Sequence, residues 1–228
     1  MRINADFSSR VVIRPGDSPW TPSPEPGVSR LCLDRVGEEV ARATSLVRFE
    51  PGAVFPQHAH GGGEELFVIE GGFEDAAGAQ SRGAYLRDPR GSSHQPRSAD
   101  GCLLFVKLWQ FAPDDAERVE IDTEKGEWRC SPEGFSLQPL HHFAGVTTFL
   151  VRLEPGAVLT RMIHPQGEEM LVLSGSCFDA QEDYPTLTWI RDPGGRAQAL
   201  SSKDGCALLV KTGHVAGAEA EAARLPRQ

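Results

Sequence analysis

The sequence predicts an all-β protein built as two small barrels in tandem. From Ser29 onward, short strand-like runs alternate with glycine and proline turn signals, as in S-R-L-C-L-D-R, A-T-S-L-V-R-F-E, E-E-L-F-V-I-E, G-A-Y-L-R and C-L-L-F-V-K-L-W. No long stretch of helical period interrupts them. The chain also repeats itself. Leu46 to Lys107 aligns with Leu150 to Lys211 at a constant offset of 104, without a gap and with 27 of 62 positions identical. Identity at that level marks a tandem duplication.

Taken in order, residues 1–30 hold V-V-I-R and then Pro15, Pro19, Pro22, Pro24 and Pro26 around Trp20. Prolines this dense exclude a helix, so the reading is an extended surface arm with Trp20 as its anchor. Trp20 and Trp128 open comparable lead-in segments, at an offset other than 104. The acidic stretch from Pro113 to Glu127 is the natural junction, giving domains 1–112 and 113–228. One helix is expected, a short and frayed one in A-G-A-E-A-E-A-A-R-L near the end.

A chain of 228 residues has room for two such cores, and 39% hydrophobic with 24% charged residues fits a globular protein. The formal charge of -9 gives no general attraction to nucleic acid or to an anionic membrane, and neither partner is expected. Met1 to Arg14 lacks a signal-peptide core, and no run approaches the roughly twenty apolar residues of a spanning helix, so the expected location is cytoplasmic. Five scattered cysteines without a C-x-x-C pair read as reduced, mostly buried thiols.

The first repeat concentrates metal-ligand chemistry. P-G-A-V-F-P-Q-H-A-H-G-G-G-E-E-L-F-V-I-E-G-G carries His58, His60 and Glu64, and G-A-Y-L-R-D-P-R-G-S-S-H carries His94. On a strand, His58 and His60 leave the same face, and three glycines allow a tight turn before Glu64. If Glu64 points into the barrel, Leu66 and Val68 follow it, while Glu65, Phe67 and Ile69 face the other way. That second face is also apolar and must be covered, by the other domain or in a homodimer. Three imidazoles and a carboxylate suit one divalent metal, zinc or iron first, then nickel, manganese or copper. Phe55, Leu66 and Phe105 are candidates for an apolar lining of the site, with barrel core as their ordinary role.

The offset of 104 tests each ligand. His58 becomes Met162, His60 stays His164, Glu64 stays Glu168 and His94 becomes Gln198. A thioether and an amide are poor ligands for such ions, so the second site is read as degenerate and the second barrel as a scaffold or ligand pocket. Tandem His141 and His142 could complete a second metal site, but the commoner case, an exposed pair before a strand, is the reading taken. Lys107 with Lys211, Tyr85 with Trp189, and Cys102 with Cys206 recur as structural positions.

These motifs resemble the cupin superfamily. The stretch from Gly52 matches the first cupin motif, and Gly83 to His94 matches the second. The chain therefore looks like a bicupin, two jelly-roll (double-stranded β-helix) barrels. The details G-G-E-E, Y-L-R-D-P, G-S-S-H-Q-P-R-S and G-C-L-L-F-V-K-L resemble the cupin domain of ChrR-type anti-sigma factors. That resemblance implies divalent metal at His58, His60, Glu64 and His94, and a regulatory or sensory role toward a small ligand or reactive oxygen. ChrR-type proteins grip their sigma factor with an N-terminal H-x3-C-x2-C zinc domain; this sequence has no such motif, so sigma-factor binding is not expected. The alternative is a metal-dependent dioxygenase of the acetylacetone-cleaving type, acting on a small dicarbonyl or aromatic substrate. The sequence offers no separate general base, and no catalytic residue is assigned.

Overall fold

A computed structural model describes residues 1–38 and 40–225. They form two compact units. The first comprises Met1–Ala5, Pro19–Lys125 and the residues from Ala220 on, and the second comprises Asp6–Ser18 and Gly126–Glu219.

In the first unit, an antiparallel sheet runs in the order Arg2–Ile3, Val28–Gly37, Ala41–Phe49, Cys102–Leu108, Glu64–Asp75, Ala84–Asp88, Val119–Asp122. The second unit runs Arg129–Cys130, Phe135–Phe143, Val146–Leu153, Cys206–Thr212, Glu168–Phe178, Trp189–Asp192, Val11–Ile13. Strand pairing respects the offset of the repeat: Glu64 lies opposite Asp88, and Glu168 opposite Asp192. Each unit has its own core, with Leu66, Val68, Leu86, Leu104 and Val106 in one and Met170, Val172, Ile190, Leu208 and Val210 in the other. Alternation along Glu64–Asp75 follows the expected parity, since Leu66 and Val68 enter the core cluster and Phe67 and Ile69 do not.

The N-terminal residues are not simply a surface arm. Val11–Ile13 is a strand of the second unit, paired with Trp189–Arg191, although in sequence it precedes the first repeat. Its counterpart is Val119–Asp122, which precedes the second repeat and pairs with Ala84–Arg87 of the first unit. The residue before each strand makes the same contact: Arg118 Nε lies 3.3 Å from Asp88 Oδ1, and Arg10 Nε lies 3.5 Å from Asp192 Oδ2. After each strand the lead-in rejoins its own repeat, where Arg48 stacks 4.2 Å over Trp20 and Arg152 4.3 Å over Trp128.

The helix spans Ala218–Ala222, tied down by Arg42 Nε donating to Glu221 Oε2 at 2.9 Å. No helix among the described residues is long and apolar enough to cross a membrane. All five cysteines are free thiols; Cys102, Cys177 and Cys206 are buried and Cys130 is exposed. The histidine pair departs from expectation. His141 and His142 lie within the strand Phe135–Phe143, where period-2 alternation buries the first and exposes the second.

Lys107 shows why a lysine recurs at the end of this strand. It is buried on the face opposite the core and donates from Nζ to Thr44 Oγ1 at 2.9 Å. On the same face Tyr85 donates its hydroxyl to Glu65 Oε1 at 2.9 Å, and Arg87 Nη2 donates to Asp115 Oδ2 at 2.8 Å. Glu65 is thereby committed to structure, leaving Glu64 as the carboxylate on the inner side.

Candidate metal centre

The short strand His58–Ala59 pairs antiparallel with Ser93–His94, and His58 and His94 are direct partners. Directly paired residues point to one face, which brings the two imidazole centroids to 4.7 Å. His60 follows in a turn closed by Gly63 N–H donating to the His60 carbonyl at 3.3 Å, with Gly63 at φ +81°. Glu64 then opens the long strand Glu64–Asp75. The potential ligand atoms of His58, His60, Glu64 and His94 lie within 4.8 Å of one another. His60 Nε2 is 3.3 Å from His58 Nε2 and 3.3 Å from Glu64 Oε2, which is 3.4 Å from His94 Nε2.

The outer contacts of the rings fix which nitrogen carries the proton. His58 Nδ1 lies 2.9 Å from the Pro56 carbonyl, which can only accept, so Nδ1 is the donor. Ser92 Oγ donates its hydrogen to the Pro89 carbonyl at 2.6 Å and therefore accepts from His60 Nδ1 at 3.0 Å. His94 Nδ1 donates to Asp75 Oδ2 at 3.1 Å. Each ring thus turns a lone pair on Nε2 toward the others, the pattern of metal-bound histidines oriented by neighbouring acceptors.

Without a cation this arrangement is unfavourable. Glu64 Oε2 is buried and has no hydrogen-bond partner. Burial, and then the nearby Asp88 carboxylate, push the Glu64 pKa up to about 8, against the opposing pull of Arg30. Burial first, then His94 and His58, pull His60 down to about 3, and burial followed by His58 lowers His94. With Glu64 ionised, these atoms are acceptors that face one another at one end of an apolar cavity and fit a bound divalent cation, and three imidazoles with a carboxylate are borderline ligands.

The ligands open on an apolar cavity of about 130 Å³, far above the roughly 10–15 Å³ that one water requires. Phe55, Leu66, Val47, Phe73, Leu104 and Val106 are among the side chains that line it. Phe105 is not. It sits opposite Phe67, on the face away from the cavity, where Lys107 Nζ lies 5.5 Å from its ring. Arg30, on the strand Val28–Gly37, was not anticipated; it is the cationic side chain in the cavity wall, and its guanidinium lies 5.6 Å from the Phe55 ring.

The glycine run has a second purpose beyond the turn. A Cβ at Gly62 would stand 2.1 Å from Trp109 Cδ2, and one at Gly63 would stand 2.4 Å from Phe111 Cδ2. Trp109 and Phe111 pack flat on backbone that carries no side chains, and Trp109 N–H donates to the Gly63 carbonyl at 3.2 Å. These rings hold the segment between His60 and Glu64 in place.

In the second unit the place of the ligands is taken by an arginine. Arg161, which stands at the position of Gln57, binds Glu168 with both terminal guanidinium nitrogens, Nη1 to Oε2 and Nη2 to Oε1, the latter at 2.6 Å. Arg161 Nη2 also donates to Gln198 Oε1 at 3.3 Å, and Gln198 Nε2 donates to Asp179 Oδ2 at 3.2 Å. Gln198 and Asp179 thus reproduce the contact between His94 and Asp75. Met162 is 66% exposed. His164 Nδ1 accepts from the Gln166 N–H at 3.1 Å, which reverses the tautomer seen at His60.

No curated protein matches the sequence. The fold is similar to that of several solved structures. A candidate dioxygenase from Nostoc punctiforme superposes with a TM-score of 0.75 at 15% identity, covering 92% of this chain and 84% of its own. A candidate glyoxylate-induced protein from Pseudomonas aeruginosa gives 0.72 at 16% identity, covering 89% and 88%. Oxalate decarboxylase from Bacillus subtilis, studied for its Mn(II) centres, gives 0.65 at 14% identity, covering 88% and 76%. At these identities the likeness concerns the fold. The model of the ChrR cupin-like domain matches twice, at residues 8–112 and 116–216, so the chain belongs to the ChrR cupin-like family and is a bicupin.

Proposed function

We propose that the first unit binds one divalent metal through His58, His60, Glu64 and His94 and presents it to a small ligand in the adjoining cavity, as a sensory cupin of the ChrR type. The observation that carries this reading is the outer contact of each ring: His58, His60 and His94 engage Pro56, Ser92 and Asp75 through Nδ1, so three Nε2 lone pairs and the Glu64 carboxylate, once ionised, face one another with no other donor among them in the described residues. The metal would supply Lewis acidity and open coordination positions. Of the residues around it, Pro56, Ser92 and Asp75 orient the rings, and Phe55, Leu66 and Phe73 exclude water. Zinc and iron are the first candidates for the native ion.

A second reading, a dioxygenase, is favoured by the apolar cavity directly beside the ligands. Metal analysis of protein purified without chelator, combined with oxygen uptake on a panel of β-diketones and catechols, separates the two. Tight metal without turnover supports the sensor; bound iron with oxygen consumption supports the enzyme. Replacing His94 by alanine is expected to reduce the metal content of the chain from one equivalent to none, and unchanged stoichiometry would sink the site assignment.

A further inference from the structure

Arg30 stands in the wall of the cavity, and holding a metal does not require it. A cation lining an apolar space loses hydration. Little in the protein replaces that hydration: no hydrogen bond or ion pair of the Arg30 guanidinium occurs among the described residues, and what it meets is the Phe55 ring at 5.6 Å and the field of Glu64. The fold does not demand an arginine there either. Arg30 is the strand partner of Val47, and in the second unit the partner of the corresponding Val151 is Leu137, which packs against the core. Arginine therefore stands in the unit that keeps all four ligands and leucine in the unit that does not.

Away from His58, Glu64 and His94 the rest of the wall is apolar, with Val47, Phe73, Leu104 and Val106 facing the same space. With Glu64 bound to a cation, its charge is no longer available to Arg30, and the guanidinium is left as a positive group at the side of an apolar cavity. We propose that the cavity receives a small carboxylate with an apolar body, its carboxylate held by Arg30 and its body against those four side chains. A planar guanidinium matches a carboxylate in a two-pronged geometry that lysine does not offer. This inference rests on the metal-centre reading above, because it assumes that Glu64 is engaged by the ion.

The test uses the full chain loaded with cobalt(II) and calorimetric titration with benzoate and 3-methylbutanoate, set against benzamide and 3-methylbutanamide. The carboxylates are expected to bind roughly 10- to 100-fold more tightly than the amides, the range of a charge-assisted hydrogen bond. Arg30→Leu, which installs the residue of the second unit, should abolish that margin at unchanged cobalt stoichiometry, and Arg30→Lys should keep part of it. If the leucine variant does not fold, Arg30→Gln should show the same loss. Equal binding of acids and amides, no binding of either acid, or a margin that survives in the folded variants overturns the proposal. Cobalt stoichiometry of the wild-type chain is read first: failure there removes the metal reading and this one with it, whereas a missing margin with cobalt bound removes this one alone.

Discussion

Arg161 meets Glu168 with both ends of its guanidinium, at the position where the first unit gathers its imidazoles around Glu64. The second barrel keeps the buried carboxylate and meets it with a cationic side chain of its own. Two consequences can be measured. Arg161→Ala strands a buried charge and is expected to destabilise the chain by about 3–5 kcal/mol, seen as a lower denaturation midpoint. The triple variant Arg161→Gln, Met162→His and Gln198→His restores the residues of the first unit and is expected to raise metal content by one equivalent, measured by elemental analysis.

Asp75 holds His94 in the tautomer that turns Nε2 inward. Asp75→Asn keeps the size of the side chain and removes the charge. Loss of such an outer contact costs roughly 10- to 100-fold in metal affinity. Competition with a chromophoric chelator should read that drop while the circular dichroism spectrum stays that of the wild type.

Glu64 gives the metal-free protein a particular pH dependence. Its pKa in the folded chain is about 8, against an ordinary value of 4.5. Folding therefore disfavours the ionised form, and the penalty builds up as pH rises from 4.5 to 8, at a slope on the order of 1 kcal/mol per pH unit. His60 acts in the opposite sense: its depressed pKa of about 3 means stability is lost as pH falls below 6.5. Glu64→Gln is expected to flatten the loss between pH 5 and 8 in denaturation experiments without metal. In wild type, metal binding near pH 7 should release close to one proton, measured as a buffer-dependent enthalpy; a buffer-independent enthalpy would contradict it.

Gly62 is placed against the indole of Trp109, 2.1 Å from where a Cβ would lie. Gly62→Ala must displace the ring or the loop. The expected cost is about 1–3 kcal/mol in stability, with weaker metal binding because His60 and Glu64 flank that loop. A melting temperature equal to that of the wild type would show that Trp109 can move away freely.

The fold and the gathering of His58, His60, Glu64 and His94 into one cluster were legible because they depend on local spacing and on a repeat that the chain carries within itself. Alternation assigned Glu64 inward and Glu65 outward, and the pairing of Glu65 with Tyr85 and Arg87 shows why the second carboxylate is structural. Phe105 was named as lining together with Leu66, but it pairs with Phe67, and alternation turns it away from the face that Leu104 and Val106 present to the cavity. Arg30 lies outside the aligned repeat, so no internal comparison could test it. Asp75 could have been found, since Asp179 preserves it at the same offset, but the aspartate alone does not say which histidine it faces. His141 was misread because two adjacent histidines look equivalent in sequence and opposite in a strand.

The crossed placement of Val11–Ile13 and Val119–Asp122 bears on how the chain can be divided. Each repeat supplies the edge strand of the other's sheet, as two protomers do when they exchange arms. The polypeptide thus has the connectivity of an arm-swapped homodimer joined end to end. A fragment stopping at residue 112 would carry one arm with no sheet to receive it and one sheet lacking its edge, two defects that a second copy of the same fragment can mend. Such a fragment is expected to elute as a dimer on size exclusion. A stable monomer would show that the exchange dispenses with a partner, and the boundary between repeats would then also be a boundary between folding units.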